Sequence, residues 1–387
     1  MRKALGKRCV WGVCGVLVSI LLATSVAHAD VLSDRSGSVL IWPKVVWNGT
    51  RDTVVQLANT RNESMVHARC FYVNAALVRP TQPPGPRNPR LWQVTDFEIW
   101  LTKQQPTHWV VSEGRPVDFS DQLGDPNAGL DPGAIPPVPS GFEGDLTCVE
   151  TDSNGMPFGG NALKGEALLQ DLDGDVAKYN AYSIEATNFA ADEPVNELRL
   201  NNTPTFPGEY NSCPQTLLLN HYAENTASPA CRADECEVFT EINTTLTLTP
   251  CNRNFENLIP GKSQLFFEIT NELEQRLSGS TTVECWFDLR LELFGSTTGG
   301  SPFEVLGPGA LFTKIFPPDA LLPDGSVNSG VIGIAEERNT APEYFALGAN
   351  SSVAAFNIQQ EGYRFDKTFE QTGRDDIFDS ITLSDQQ

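Results

Sequence analysis

Where the chain can be read, apolar and polar residues alternate with a period of two. In Asp96-Phe97-Glu98-Ile99-Trp100-Leu101-Thr102, the residues Phe97, Ile99 and Leu101 fall on one face, and the alternation recurs over 245–249 and 281–291. Successive side chains of a strand point to opposite faces, so the pattern predicts antiparallel strands with one side buried. Helical periodicity is scarce. The 27 prolines and 31 glycines, clustered in runs such as RPTQPPGPRNP and DPGAIPPVPSG, punctuate the chain with turns and long surface loops.

The two halves of the chain repeat one another weakly. VLIWPKVVWNGTRDTVVQLANT matches LTLTPCNRNFENLIPGKSQLFFEITN, each with an apolar strand reaching a proline (Pro43, Pro250), and MVHARCFYV matches TTVECWFDL around Cys70 and Cys285. GDLTCVETD then faces GVIGIAEER, and VAKYNAYSIEA faces SVAAFNIQQEG, with Asn180 and Asn357 in equivalent places. Four blocks in one order predict a duplication. The expected fold is all-β: two tandem related antiparallel β-sandwich (Ig-like) domains, 31–205 and 238–387, with long Pro/Gly-rich loops. A cysteine-containing linker, 206–237, joins them, and LLLNHYAE within it reads as a strand.

The first residues, MRKALGKRCVWGVCGVLVSILLATSVAHAD, have a basic start and an apolar run closed by Ala27-His28-Ala29. This pattern predicts a cleavable signal peptide over 1–29, with export to the periplasm, outer surface or extracellular space. No later apolar run reaches the ~20 residues of a membrane span. Loss of Arg2, Lys3, Lys7 and Arg8, with no acidic residue, takes the net charge of -22 to -26. A surface this acidic, with no basic cluster, excludes nucleic acid as a partner.

Seven cysteines follow the signal. Outside the cytoplasm they are expected in disulfides. The repeat pairs Cys70 with Cys148, because Cys285 faces Gly333 in the second half and lacks an equivalent partner. Cys285 is then assigned to Cys251 or to Cys213, and Cys231 to Cys236 within CRADEC. An odd count leaves one thiol free or intermolecular.

With SVLIWPKVV, TVVQLANT, VHARCFY and TDFEIWLT in view, the chain resembles a loose group of exported bacterial envelope proteins with β-sandwich domains, across residues 36–110. The resemblance implies secretion and a sandwich. It brings no catalytic residue, since the shared positions are structural, and Trp42 stands where the group usually has phenylalanine.

Candidate chemistry is thin. No G-x-S-x-G elbow, H-E-x-x-H pair or phosphate-binding glycine loop occurs. His67 and His108 read as strand residues, and no catalytic residue is assigned. Asp171, Asp173 and Asp175 alternate as in the first half of a calcium loop, but Gly174 is misplaced and Tyr182 stands where the bidentate glutamate belongs. Trp42, Trp47, Trp100 and Trp109 crowd the early strands, and an exposed tryptophan stacks on sugars or grips a partner. The sequence therefore points to a non-enzymatic secreted or envelope protein of structural or binding type. Its expected partner is an envelope or extracellular protein, a polysaccharide, or another copy of itself. A carbohydrate-binding or carbohydrate-processing protein using a tryptophan-rich face is the alternative, and a secreted hydrolase the second alternative.

Overall fold

A computed structural model of the protein describes residues 33–82, 87–117, 130–186, 197–200, 210–211, 213–214, 216–223, 226–227, 241–291, 306, 309–316, 322–323, 328–340, 351–361 and 379–384. The expected signal peptide, Cys231 and Cys236 lie outside the described residues. The first half forms β1 (Val39–Trp47), β2 (Arg51–Asn59), β3 (Val66–Asn74), β4 (Gln93–Leu101), β5 (Pro106–Val110), β6 (Phe142–Thr151), β7 (Leu163–Asp171), β8 (Val176–Asn180), β9 (Tyr182–Ile184) and β10 (Glu197–Leu200). There follow β11 (Thr216–Tyr222), β12 (Thr226–Ala227), β13 (Glu241–Pro250), β14 (Arg253–Asn254), β15 (Lys262–Asn271), β16 (Arg276–Glu284) and β17 (Phe287–Arg290). The last strands are β18 (Ala310–Phe316), β19 (Val331–Thr340), β20 (Ser351–Asn357), β21 (Gln359–Glu361) and β22 (Asp379–Thr382).

The all-β expectation holds. Alternation is realised in β4, where Phe97, Ile99 and Leu101 are buried between exposed or half-exposed neighbours, and in β2, where Thr53, Val55, Leu57 and Asn59 turn inward. The expected linker strand forms as β11 and lies inside a sheet, between β18 and β21.

The tandem-sandwich expectation does not hold. The strands are divided among five small sheets arranged as a five-bladed β-propeller, ordered β4-β3-β6-β1-β9, β5-β2-β7-β8, β16-β15-β18-β11-β21, β12-β13-β19-β20 with β17 also on β13, and β10-β22-β14. The halves are wired differently. Strand β3 lies beside β6, whereas β17, from the matching block, pairs with β13, and β9 lies beside β1 whereas β21 joins β11. The β10-β22-β14 sheet is built from three distant stretches of chain.

Burial explains the difference. A sandwich strand hides one face, but β3 is buried at all nine positions and β1 at eight of nine, so these two strands are covered on both faces while β4 at the edge of the same sheet keeps one face open. One core contains Trp42, Phe71 and Cys148 together with Phe255, Trp286, Ile334 and Ile381 from the second half. Phe71 and Phe255 stack at 4.3 Å between ring centres, and the Trp286 indole N–H donates to the Pro43 carbonyl at 2.7 Å. A second, smaller core sits under β11, β15 and β18.

The Cys70–Cys148 disulfide forms as expected, between directly opposed residues of β3 and β6. The assignment of Cys285 to Cys251 is corrected: Cys251 joins Cys213, and Cys285 is buried and free. Its sulfur lies 3.9 Å from the Leu91 carbonyl oxygen, in the first half. By loop-closure entropy each bond stabilises the fold by about 4 kcal/mol.

Candidate functional site

Asp171, Asp173 and Asp175 occupy the turn between β7 and β8. The Asp171 N–H donates to the Asp175 carbonyl at 2.8 Å and the Gly174 N–H to the Asp171 carbonyl at 3.0 Å, with Gly174 at φ +102° in a conformation that favours glycine. Their carboxylate oxygens lie within 4.8 Å of one another. Cationic side chains already meet them. Arg51 Nε is 3.0 Å from Asp171, Arg338 pairs with the other Asp171 oxygen, and Arg338 Nη1 is 3.7 Å from Asp175. A calcium ion would have to compete with two guanidinium groups for Asp171, so the local charge is balanced by the protein.

The tryptophans do not share a surface. Trp42 and Trp109 are core residues with no free face, Trp42 lying against Gly165 and Trp109 donating its indole N–H to the Tyr72 hydroxyl. Trp47, at the end of β1, is half-buried against the main core. Trp100 is half-buried and stacks on the His67 ring at 3.9 Å and 12°. The role assigned to Trp42 and Trp109 as stacking platforms is therefore corrected: Trp42 lies on β1, which is buried on both faces, and Trp109 lies on the inward face of the alternating strand β5.

His67 Nδ1 lies 2.9 Å from Thr151 Oγ1 and 3.0 Å from the Asp152 carbonyl, while Nε2 sits 3.4 Å from Glu98. His221 Nε2 is 2.8 Å from Thr313 Oγ1, and burial pulls its pKa down to about 4, so the ring is neutral at pH 7. His221 lines the wall of an open groove with Glu268, Arg276, Lys314 and Glu337. Burial also pushes the Cys285 thiol well above its ordinary range, which leaves little reactive thiolate.

An assembly of paired charges that was not anticipated joins the two halves of the chain. Lys44, at the centre of the apolar run VLIWPKVVW, reaches Asp288 at 2.9 Å and Glu336 at 3.3 Å. Arg51 holds Glu336 at 2.8 Å and 2.9 Å and passes the network on to Asp171 and Arg338. Burial opposes ionisation of Glu336, but Lys44 and Arg51 overcome it and hold the carboxyl down at about 2. Burial likewise opposes the Lys44 charge, and Asp288 and Glu336 more than offset it, so its pKa is raised. Lys44, Arg51 and Asp171 belong to the first half, and Asp288, Glu336 and Arg338 to the second, so this network is a seam between them. The one sequence signal for it was a lone lysine inside an otherwise apolar strand.

A second weld lies deeper. Arg253 donates to both oxygens of Asp145, at 2.6 Å and 3.0 Å, with both side chains essentially inaccessible. Asn180 and Asn357, equivalent in the repeat, meet each other: the Asn180 N–H donates to the Asn357 amide oxygen at 3.1 Å and the Asn357 amide returns a bond to the Asn180 carbonyl at 2.7 Å.

Glu150 was also missed. Burial raises its pKa to about 7, against weaker opposing bonds from the Ala162 backbone, Arg61 and Ser38. Its neighbours Ser38 and Asn161 are bonded to each other and to backbone, Asn161 capturing both the Ala186 N–H at 2.7 Å and its carbonyl at 2.9 Å, so the group is a structural knot. Against known protein families and curated proteins, the chain matches none.

Proposed function

We infer that the protein is a non-enzymatic exported protein of structural or binding type, serving outside the cytoplasmic membrane as a rigid frame that presents sheet surfaces to partners. One observation carries this reading: the groups that usually perform chemistry are spent on holding the molecule together. Lys44, Arg51, Asp288 and Glu336 form the seam, Asp145 and Arg253 the buried weld, and His67 and His221 face threonine hydroxyls. Two disulfides fit an oxidising compartment, and a strongly acidic balance keeps such a frame soluble.

The test pairs two measurements on the purified mature protein. Retention on cell-wall, polysaccharide or outer-surface fractions, with no turnover of ester, peptide or glycoside substrates, is the expected result. Turnover that copurifies with the protein, or a protein that no fraction retains, overturns the reading.

A further inference from the structure

The described sheets differ in how their outer edges are protected. Strand β4 is covered by the 130–133 loop, whose Pro132 carbonyl accepts from the Trp100 N–H at 2.8 Å. Strand β5 is five residues long and opens with Pro106, β9 and β21 are three residues each, and β8 abuts β20 through Asn180 and Asn357. Strand β16 has none of these protections. It is a nine-residue strand at the end of its sheet, with β15 on one side and no neighbour among the described residues on the other. It carries no proline and no lysine, the residues that blunt such edges.

The phase of the ladder shows which groups are open. Cys285 N–H donates to the Gly261 carbonyl at 2.9 Å and Asn271 N–H to the Gln275 carbonyl at 3.1 Å, one at each end of the β15–β16 pair. Antiparallel residues direct N–H and C=O to the same side in alternation, so Leu277, Gly279, Thr281 and Val283 bond β15. The backbone groups of Arg276, Ser278, Ser280 and Thr282 and the Glu284 N–H therefore point to the open edge, while the Glu284 carbonyl accepts from the Trp286 N–H at 2.7 Å, and all five side chains are exposed.

This edge is complementary to itself. Two β16 strands run antiparallel about a two-fold axis at Ser280 place Arg276 opposite Glu284, Ser278 opposite Thr282, and Ser280 opposite its own copy. The three central rungs join residues whose backbone groups are open, and each outer rung offers the Glu284 N–H to the Arg276 carbonyl. On the inner face, Leu277 comes opposite Val283 and extends the smaller core. Glu284 already has Lys262 across from it on β15, so each outer rung reads lysine, glutamate, arginine from one copy to the next.

We propose that the occupant of this edge is a second copy of the chain, pairing β16 with β16 so that two five-stranded sheets become one continuous sheet through the dimer. This rests on the binding reading above and names its partner. A chain of opposite charge at both ends and hydroxyl side chains between is what isologous pairing requires, and a partner lacking that order would leave Arg276 or Glu284 unmatched.

The test is the oligomeric state of the mature protein by light scattering and sedimentation to about 100 µM, a range that detects weak self-association. A dimer is expected. Arg276→Glu and Glu284→Arg should each weaken it by about tenfold, because two exposed pairs per dimer become repulsive, and the double variant should restore it. Ser280→Pro removes an outward N–H that the monomer does not use and should abolish the dimer with unchanged circular dichroism. Ser280→Cys should cross-link to itself, since paired residues lie ~5.5 Å apart. Thr282→Cys should not, its copies being separated by ~14 Å along the strands.

A wild-type monomer throughout the range overturns the proposal, as does a dimer indifferent to these changes. Slow amide exchange at Ser278, Ser280 and Thr282 in a monomer would show another segment of the chain or a foreign peptide there, and also sinks it. A monomer still retained on envelope fractions refutes the pairing and leaves the binding reading standing. A dimer that turns over substrate does the reverse.

Discussion

Replacement of Arg253 by methionine tests whether the two halves are held by a buried charge pair. Methionine keeps the apolar stem and removes the guanidinium, leaving Asp145 at 0 % exposure with only the distant Thr249 hydroxyl at 3.5 Å. Removing one partner of a buried pair typically costs about 3–5 kcal/mol, a large part of the stability of an ordinary domain. The deficit has a definite pH dependence. Burial already pushes the Asp145 carboxyl above its usual value against the pull of Arg253, and without Arg253 it rises further. An acid whose folded pKa is raised binds its proton more tightly when folded, so stability falls as pH rises from the unfolded pKa through the folded one.

The variant should therefore be least impaired at acid pH and increasingly impaired as pH rises. Urea unfolding of wild type, Arg253→Met and the double variant Asp145→Leu/Arg253→Met, followed by fluorescence and far-UV circular dichroism, gives the three free energies. The double variant should recover at least half of the loss, because two apolar side chains replace the pair without stranding a charge. A deficit under about 1 kcal/mol at pH 7.5, one that is equal at pH 5 and pH 8, or a double variant no better than the single would refute the argument.

Three further outcomes follow from the same geometry. Glu150, raised to about 7 by burial, makes folding less favourable as pH rises from 4.5 to 7, so Glu150→Gln should stabilise the protein by about 3 kcal/mol at pH 8 and by little at pH 4, read as urea midpoints. Glu336, held down at about 2 by Lys44 and Arg51 against burial, contributes stability that is present above pH 4.5 and lost as pH falls toward 2. Glu336→Gln should flatten that acid limb and cost about 3 kcal/mol at neutrality, and an unchanged acid transition would count against the seam. Cys285, buried with its thiol pushed up, should resist maleimide in the native state at pH 8 and label fully in urea. Peptide mapping that finds it modified within minutes in native buffer would contradict its placement.

How much of this was legible in the sequence depends on whether the signal is local. Period-two alternation in DFEIWLT predicted β4 and its buried face, and the repeat placed Cys70 opposite Cys148 because the matching block carries Gly333 instead. Strand neighbours were not legible. Pairing is decided by where loops carry each strand, and the same four blocks are compatible with several sheet orders. A warning was nevertheless present: VLIWPKVV and VHARCFYV are nearly continuous apolar runs, and such runs mark strands covered on both faces, whereas a sandwich strand alternates. Reading them as one-sided strands produced the sandwich expectation and left Trp42 among the candidate binding residues. Paired charges such as Lys44 and Glu336 are almost 300 residues apart in sequence, beyond any local pattern, though an isolated lysine in an apolar strand is itself a request for a buried partner.

The divergence of one block links these observations. In the first half MVHARCFYV forms the single uninterrupted strand β3, flanked by β4 and β6 and pinned at Cys70 by the bond to Cys148. In the second half the matching TTVECWFDL breaks at the equivalent cysteine: Cys285 adopts φ +67°, the residues before it end β16 in one sheet, and those after it form β17 in another. A residue with a Cβ enters that region at a cost of about 1–2 kcal/mol, so the break persists only because its surroundings gain more. The gain is visible in Trp286, which the turn buries against the first half with its N–H on Pro43, and in Asp288, which it delivers to Lys44. Turning the second half of the block toward the first half withdraws it from β16, which stops at Glu284. The turn that welds the halves together thus also sets the length of the edge through which two copies are proposed to join, placing Glu284 as its last residue.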